Sequence, residues 1–316
     1  MSEFLPGRLS PDAVGGRVSV RRRVPGSAAG ALGDVIGDLV SLDADSLVIR
    51  RSDASLVVVA AADVMAARVV GPSPRAALEL EAVSGRSWPA PDDAWLGRWW
   101  LRGAAGFTAG ANAVRPLGDP GVSIDEALAH VSAWYAERDL PPMVRSVKGS
   151  SVDAELDRRG WTSDFKTVMQ TATLASVRRR LVGVPTEAVR LSASPSAAWI
   201  ERYGRGAGAE ALSVLTGPTE VGFASVEDFD SSAAPFAIGR AVVEVPWVGF
   251  SAVEVDERSR RQGHARAVMS ALVDWAAERG AIRVWLEVMA DNTGALALYE
   301  SLGFTEHHRY SYRQPS

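Results

Sequence analysis

Two short stretches of the 316-residue chain combine residue types that can do chemistry. The first is Arg260-Arg261-Gln262-Gly263-His264-Ala265-Arg266. It stands between a nearly continuous apolar strand, Val248 to Val255, and a helical pattern that runs to Arg279. It contains no proline, so the backbone N–H groups from Arg261 to Arg266 are the orphan donors of a helix start, at the positive end of the helix dipole. Gly263 and Ala265 are small, so a pyrophosphate can come close to the main chain, and Arg260, Arg261 and Arg266 add charge that reaches phosphates. Glycine-containing helix starts also occur where nothing binds, and the pattern alone decides nothing. The second stretch is Ile282-Arg283-Val284-Trp285-Leu286-Glu287-Val288, where strand alternation puts Ile, Val, Leu and Val on one face and Arg, Trp and Glu on the other. A carboxylate at Glu287, beside a tryptophan near the end of an apolar strand, is costly unless solvated or used, and both readings stay open.

These groups need elements to hold them. The helix that opens at the Gly263 turn carries Val268, Leu272, Trp275 and Ala276 on one face, which are core positions. Upstream lie predicted strands at Ala188 to Ser192, Glu220 to Glu227 and Ile238 to Val245, a helix from Ser196 toward Tyr203, and a kink or bulge at Pro246. Downstream, a helix over 293 to 301 ends at Gly303-Phe304, and His307 to Arg313 reads as a closing strand.

Asn292-Thr293-Gly294-Ala295-Leu296-Ala297-Leu298-Tyr299-Glu300-Ser301-Leu302-Gly303-Phe304 begins 27 residues after Ala265. With Arg260-x-x-Gly263-x-Ala265 ahead of it and a strand between, this tract is similar to the two signature motifs of the GNAT acetyltransferase superfamily. The resemblance is clear over roughly residues 236 to 313 and plausible from 188. It implies that acetyl-CoA is the co-substrate, with its pyrophosphate on Arg260 through Arg266 and with Asn292 in the second motif. It implies that the strands Val248 to Val255 and Ile282 to Val288 splay apart at their ends. The pantetheine arm then pairs with free backbone groups of the first strand around Val253 and Val255, as an added strand would. An amine attacks the thioester, and a backbone N–H near Val253 stabilises the tetrahedral oxyanion. The resemblance assigns Tyr299 to protonate the departing thiolate, where the bland alternative is a core aromatic. The tract Trp285 to Val288 resembles the strand of bacterial ribosomal-protein N-terminal acetyltransferases whose glutamate is the base, which makes Glu287 the candidate base. The histone-type base position falls near Phe250 and is not a carboxylate here.

The middle of the chain repeats the order of the end. Trp134-Tyr135-Ala136-Glu137-Arg138 and, 141 residues later, Trp275-Ala276-Ala277-Glu278-Arg279 each end a helix. Each is followed by a β-like run, a helix stopping at Gly-aromatic (Gly160-Trp161, Gly303-Phe304) and a closing strand, Thr167 to Leu174 or His307 to Arg313. Such a long period implies duplicated domains, joined by a linker at 176 to 187. The first copy lacks the cradle: Arg115-Pro116-Leu117-Gly118-Asp119-Pro120-Gly121-Val122-Ser123 has two prolines without N–H groups and an aspartate that would repel phosphate. It reads as a degenerate lobe that does not hold CoA. In its early strands Trp95, Trp99 and Trp100 are mostly core, and Arg102 and Asn112 are candidates to reach the substrate.

Residues 17 to 70 read as short strands, Arg17 to Arg22, Asp34 to Leu42, Ser46 to Arg51 and Ser55 to Ala60, with turns at Asp43-Ala44-Asp45 and Ser52-Asp53-Ala54. A one-turn helix near Ala62 to Ala66 and a strand at Arg68 to Val70 complete a small barrel resembling the Src-homology-three (SH3) or Tudor type. Gly71-Pro72-Ser73-Pro74 then opens a helix toward Val83. Arg21-Arg22-Arg23 reads as a solvated strand end or a contact for acidic groups. The expected architecture is therefore α/β (an α+β mixed sheet): a barrel over 1–71, a degenerate acetyltransferase-like lobe over 72–180 and a catalytic acetyltransferase domain over 181–316. A barrel ahead of a duplicated acetyltransferase region also resembles, more loosely, actinobacterial proteins described as histone acetyltransferase-like or N-acetylglutamate synthase-like.

Composition sets the remaining bounds. There is no cysteine, which excludes thiol catalysis and disulfides, and the four histidines show no zinc-ligand spacing, so no metal is expected. A formal net charge of -4 argues against a nucleic-acid partner. The opening residues lack the apolar core of a signal peptide, and the longest apolar stretch, Leu56 to Ala62, is too short to span a bilayer. The expectation is a cytoplasmic N-acetyltransferase acting on a small-molecule amine, such as glutamate, or on a protein amine. The alternatives are an acyl-CoA sensor without turnover and a binding module led by the barrel.

Overall fold

The computed structural model describes residues 9, 13–14, 16–26, 31–51, 53–227 and 234–316. The opening residues read above for a signal peptide, and Ser52 of the predicted turn, lie partly outside these. The chain forms two compact units, Met1–Ser73 and Pro74–Ser316.

In the first unit, β1 (Arg17–Arg23), β2 (Leu32–Leu42), β3 (Ser46–Arg50), β4 (Leu56–Ala60) and β5 (Val64–Val69) form one sheet in the order β4-β3-β2-β1-β5. Val18, Val20, Leu39, Leu47, Ile49 and Val59 are its buried alternates, as period-2 patterning requires. The expected one-turn helix is a 3-10 turn at Ala61–Asp63, so the last strand starts earlier than the sequence suggested. Arg21 is paired with Asp34 at 3.0 Å.

The second unit opens with α1 (Pro74–Ser87), followed by the three-stranded sheet of β6 (Asp92–Leu96), β7 (Trp99–Gly103) and β8 (Arg115–Pro116). Next come α2 (Ile124–Ala136), β9 (Val144–Val147), α3 (Ser151–Arg158), β10 (Thr162–Thr173) and α4 (Leu174–Arg180). The final part has β11 (Val189–Ser192), α5 (Ala197–Tyr203), α6 (Ala209–Thr216), β12 (Val221–Val226), β13 (Ala237–Glu244), β14 (Trp247–Val255), α7 (His264–Glu278), β15 (Arg283–Met289), α8 (Thr293–Ser301) and β16 (Thr305–Gln314). The repeated order helix, strand, helix, strand is present as α2-β9-α3-β10 and α7-β15-α8-β16.

The two copies do not fold side by side. One eight-stranded sheet runs β11-β12-β13-β14-β15-β10-β16-β9. Each copy's closing strand lies beside the other copy's preceding strand: β10 pairs with β15, β16 pairs with β9, and β10 and β16 pair with each other. The stretch expected to be a linker is α4 and the turn after it, with Leu174, Val177 and Leu181 buried in the main core beneath α7. Its apolar spacing is short and flanked by arginines, which hid it. Helix α6 is also absent from the sequence reading, because eight residues behind an uncapped glycine, Gly208, carry little helical signal.

The sheet's two faces differ. Toward α7, Val248, Phe250, Val284, Leu286 and Val288 pack with Val268, Leu272 and Ala276. The opposite face is covered by α1, whose Leu80 and Val83 meet Met169 and Trp285, and by α5, whose Trp199 and Tyr203 pack with Phe223 and Ile238.

Candidate active site

Strand β14 pairs in parallel with β15 only from Trp247↔Arg283 to Phe250↔Leu286. Beyond Phe250 the two part. The cause lies on the other edge of β14, where its register against β13 shifts between Ile238 and Arg240 and Ala252 takes a positive φ of 50°. Such a bulge bends a strand away from its neighbour. Val253 and Val255 follow it and are half-buried along the opening. The close pairing before the split is set by Gly249, because a Cβ there would meet the Trp285 ring at 2.2 Å.

On the α7 face of the split lies the glycine turn. Gly263, φ 88°, is the N-cap of α7 and provides no side-chain cap. A Cβ built on it would meet no atom within 4 Å, so the space before the first-turn N–H groups is open. Arg261 is also left-handed, with φ 65°. Arg260, Arg261 and Gln262 are exposed, and His264 is half-buried and stacked 5.5 Å from Phe236. Arg266 is engaged in the fold, donating to Arg180 O at 2.7 Å and Ser301 Oγ at 3.2 Å, and Arg260 is paired with the exposed Glu257 at 3.4 Å. The matching helix start of the first copy is closed. Ser123 and Glu126 form a reciprocal cap on α2, filling its donors and placing a carboxylate where an anion would sit. Asn292 caps α8 through Ala295 N at 3.1 Å. Tyr299 is buried on this same side, 5.7 Å from the Phe304 ring, and burial pushes its hydroxyl up to about 12.

On the opposite face lies a cavity of about 270 Å³, lined by Tyr203, Arg240, Ser251, Trp285, Glu287 and Tyr310 among others. Glu287 Oε1 accepts from Arg145 Nη2 at 2.7 Å, and its Oε2 accepts from the Tyr310 hydroxyl at 2.7 Å. Arg145 also binds both oxygens of Glu81, and its guanidinium lies 3.4 Å over the Tyr310 ring. Glu81, on the buried face of α1, further accepts from Arg115 Nη1 at 2.8 Å and lies 2.9 Å from His308 Nε2. Burial alone would raise Glu287, but the charge and hydrogen bond of Arg145, with Arg115 behind, outweigh it and hold the carboxyl below the ordinary range. For Glu81 the same balance, with Arg145, His308 and Arg115 against burial, comes out far on the ionised side. In this buried network each carboxylate is paired with a guanidinium, while Arg115 Nε and Arg145 Nη1 are buried without a hydrogen-bond partner.

Tyr299 and Glu287 therefore stand on opposite faces of the sheet, flanking the split. Arg102 and Asn112, read as candidates to reach the substrate, do not line the cavity. Arg102 is fully buried, donating to the carbonyls of Gly85, Trp88 and Gly110, and Asn112 ties Ala104, Gly106, Phe107 and Thr108 into a loop. The sequence reading missed Glu81, Arg115, Arg145 and Arg240. A signal existed for two of them: Glu81 sits on the Ala77–Ser84 face of a helix, and Arg240 interrupts an otherwise apolar strand. Among the described residues, no cluster of metal-ligating side chains occurs and no helix is long and apolar enough to cross a membrane.

Residues 76–313 match the family described as "Probable histone acetyltransferase Rv0428c C-terminal", and residues 12–68 match the "Rv0428c N-terminal Sm-like domain". The chain belongs to this acetyltransferase family. The "Probable histone acetyltransferase Rv0428c" of Mycobacterium tuberculosis is 31% identical over 309 residues, 96% of each chain. An Escherichia coli "[Ribosomal protein bS18]-alanine N-acetyltransferase" is 45% identical over 73 residues, 23% of this chain and 48% of that protein. The solved "GCN5-related N-acetyltransferase from Kribbella flavida" superposes with a TM-score of 0.56 at 17% identity, over 76% of this chain and 96% of that one, which speaks for the fold. The protein is an acetyltransferase of GNAT fold with a small β-rich domain ahead of it in the chain.

Proposed function

We propose that this acetyltransferase moves the acetyl group of acetyl-CoA directly to a primary amine, either of an amino acid such as glutamate or of a protein, in the cytoplasm. The chemistry is assigned to residues 181–316, and residues 72–180 form a copy that holds no CoA. The observation that carries the reading is the split between β14 and β15, with an open, uncapped helix start on one face and an ionised carboxylate in a cavity on the other.

In this reading Arg260 through Arg266 take the pyrophosphate, Val253 and Val255 pair with the pantetheine arm, and Asn292 holds the start of α8 beside it. The acceptor enters from the Glu287 face as an ammonium. One proton leaves toward Glu287, the neutral nitrogen bonds to the thioester carbon, and the backbone N–H of Val253 faces the oxyanion of the tetrahedral intermediate. The C–S bond then breaks, Tyr299 protonates the thiolate, and the nitrogen loses its second proton to solvent. Glu287, held below the ordinary range by Arg145, is a weak base; it accepts the proton through water and holds the ammonium as a counter-ion. Burial pushes the Tyr299 hydroxyl up to about 12, so it stays protonated at rest and gives up its proton only as charge develops on the departing sulfur.

The test is a panel of amines with acetyl-CoA, following free thiol. Release with at least one amine, lost in Glu287→Gln most strongly at low pH, is expected. Acetyl-CoA that fails to bind in calorimetry would remove the reading.

A further inference from the structure

The cavity at Glu287 carries more buried positive charge than negative. Arg115 and Arg240 line it and Arg145 bonds to its Glu287; each is at most 2% exposed, while the carboxylates bonded to these groups are Glu81 and Glu287, three guanidinium groups against two carboxylates. Arg240 lines the cavity and, among the described residues, has no carboxylate partner. Its Nε donates to Leu215 O at 2.8 Å, its Nη2 to Ser87 O at 3.0 Å and Val214 O at 3.4 Å, and its Nη1 to Ser251 Oγ at 3.2 Å. Every acceptor is a neutral oxygen. Burial pulls the guanidinium down to about 9, which still leaves it charged at neutral pH. The guanidinium also lies 4.9 Å from the centre of the Trp88 ring, but a buried cation without a counter-ion is costly, and an anion in the cavity would offset that cost.

The register says where that anion would lie relative to the amine. Arg240 is opposite Ser251, and Phe250 is opposite Leu286, so Arg240, Ser251 and Glu287 stand at one level on three neighbouring strands. All three are on the face away from α7, because Ala241, Phe250 and Leu286 fill the other. Glu287 lies one residue past the last β14–β15 pair, where the strands part, so at about 4.8 Å per paired strand the α-carbons of Arg240 and Glu287 are at least roughly 10 Å apart, with the cavity between. Trp285 also lines the cavity, and its Nε1 is buried without a hydrogen-bond partner, a donor in want of an acceptor.

We infer that the acceptor is a small molecule carrying both an amine and a carboxylate, seated with its carboxylate on Arg240 and Ser251 and its amine at Glu287. The inference rests on the acetyl-transfer reading and narrows its substrate to amino acids with a free carboxylate, against protein amines. The cavity's small volume agrees, since a site of this size takes a compact ligand. The first copy contributes too: Ser87, the last residue of α1, helps fix the arginine through its carbonyl.

The experiment compares the wild-type full chain on matched pairs: L-amino acids, their carboxamides, and a lysine-rich peptide with a blocked carboxyl terminus, each with acetyl-CoA. At least one free acid should be acetylated with kcat/KM roughly 100-fold above its carboxamide and above the peptide. Arg240→Gln should erase that preference, and Ser251→Ala, which leaves the arginine's carbonyl contacts in place, should reduce it by roughly 3- to 10-fold through KM. Carboxamides or peptide turned over as well as the acids would overturn the inference and leave acetyl transfer standing. Acetyl-CoA binding without thiol release from any free acid would also overturn it, whereas failure to bind acetyl-CoA would remove the underlying reading instead.

Discussion

Arg145 Nη2 donates to Glu287 Oε1 at 2.7 Å across 142 positions of the chain, while the same guanidinium grips both oxygens of Glu81. The first copy thus holds the proposed base of the second. It is made adjacent by the exchange of closing strands, which puts β9 and β15 in one sheet.

Removing this centre should cost stability as well as rate. Arg145→Gln leaves Glu81 buried with one cationic partner fewer, and breaking a buried pair in this way costs about 3–5 kcal/mol. Urea melts at neutral pH should show that loss, and the gap to wild type should narrow in acid, where the carboxylates protonate in both proteins.

The pH dependence of stability follows from three depressed groups. Burial and its neighbour His308 hold His307 down at about 4, from 6.5, so its contribution is complete above pH 6.5 and lost as pH falls toward 4. Glu81 and Glu287 are also depressed; their contribution is present above the unfolded carboxylate range, about 4.3, and is lost below it. Unfolding free energy should therefore decline gently from about pH 6.5 and more steeply below about 4.3. A His307→Gln variant that keeps the gentle part would contradict the assignment.

Gly263→Glu places bulk and negative charge in the open space before α7. The residue must also adopt a φ of 88°. Acetyl-CoA affinity measured by calorimetry should collapse while the circular dichroism spectrum stays that of a folded protein. Unchanged affinity would move the pyrophosphate elsewhere.

Tyr299→Phe deletes one hydroxyl and little packing. Loss of a general acid lowers turnover by about 100- to 10,000-fold, with acetyl-CoA affinity nearly unchanged. Because the group sits at about 12, the wild-type rate should show no alkaline fall from this residue below about pH 11. Full activity in the variant would return Tyr299 to the core.

Deleting residues 1–70 should leave acetyl-CoA binding intact, because the described chain forms a separate compact unit over Met1–Ser73 and the cradle lies in the other. Loss of binding by a well-folded truncation would count against that partition.

The local devices of this protein were legible residue by residue. The glycine turn before α7, the alternation of β15, the helix starting at Ser196 and the paired order of elements all follow from short-range rules: which donors a helix start leaves free, and which face a strand side chain takes. The sequence alone also carried the family resemblance, since its motifs lie within some fifty residues of one another. What it did not carry was pairing over long separations. That β10 lies between β15 and β16, that α4 is core rather than linker, and that Glu81, Arg115 and Arg145 converge on Glu287 depend on which strand edges meet. A strand's own residues state its faces but not its neighbours, because edge hydrogen bonds are made by a backbone that is chemically the same everywhere. Arg240 shows the same limit. In sequence it is one charge in an apolar strand, and only the closing of α1, α6 and β14 around it makes it a buried cation facing a cavity.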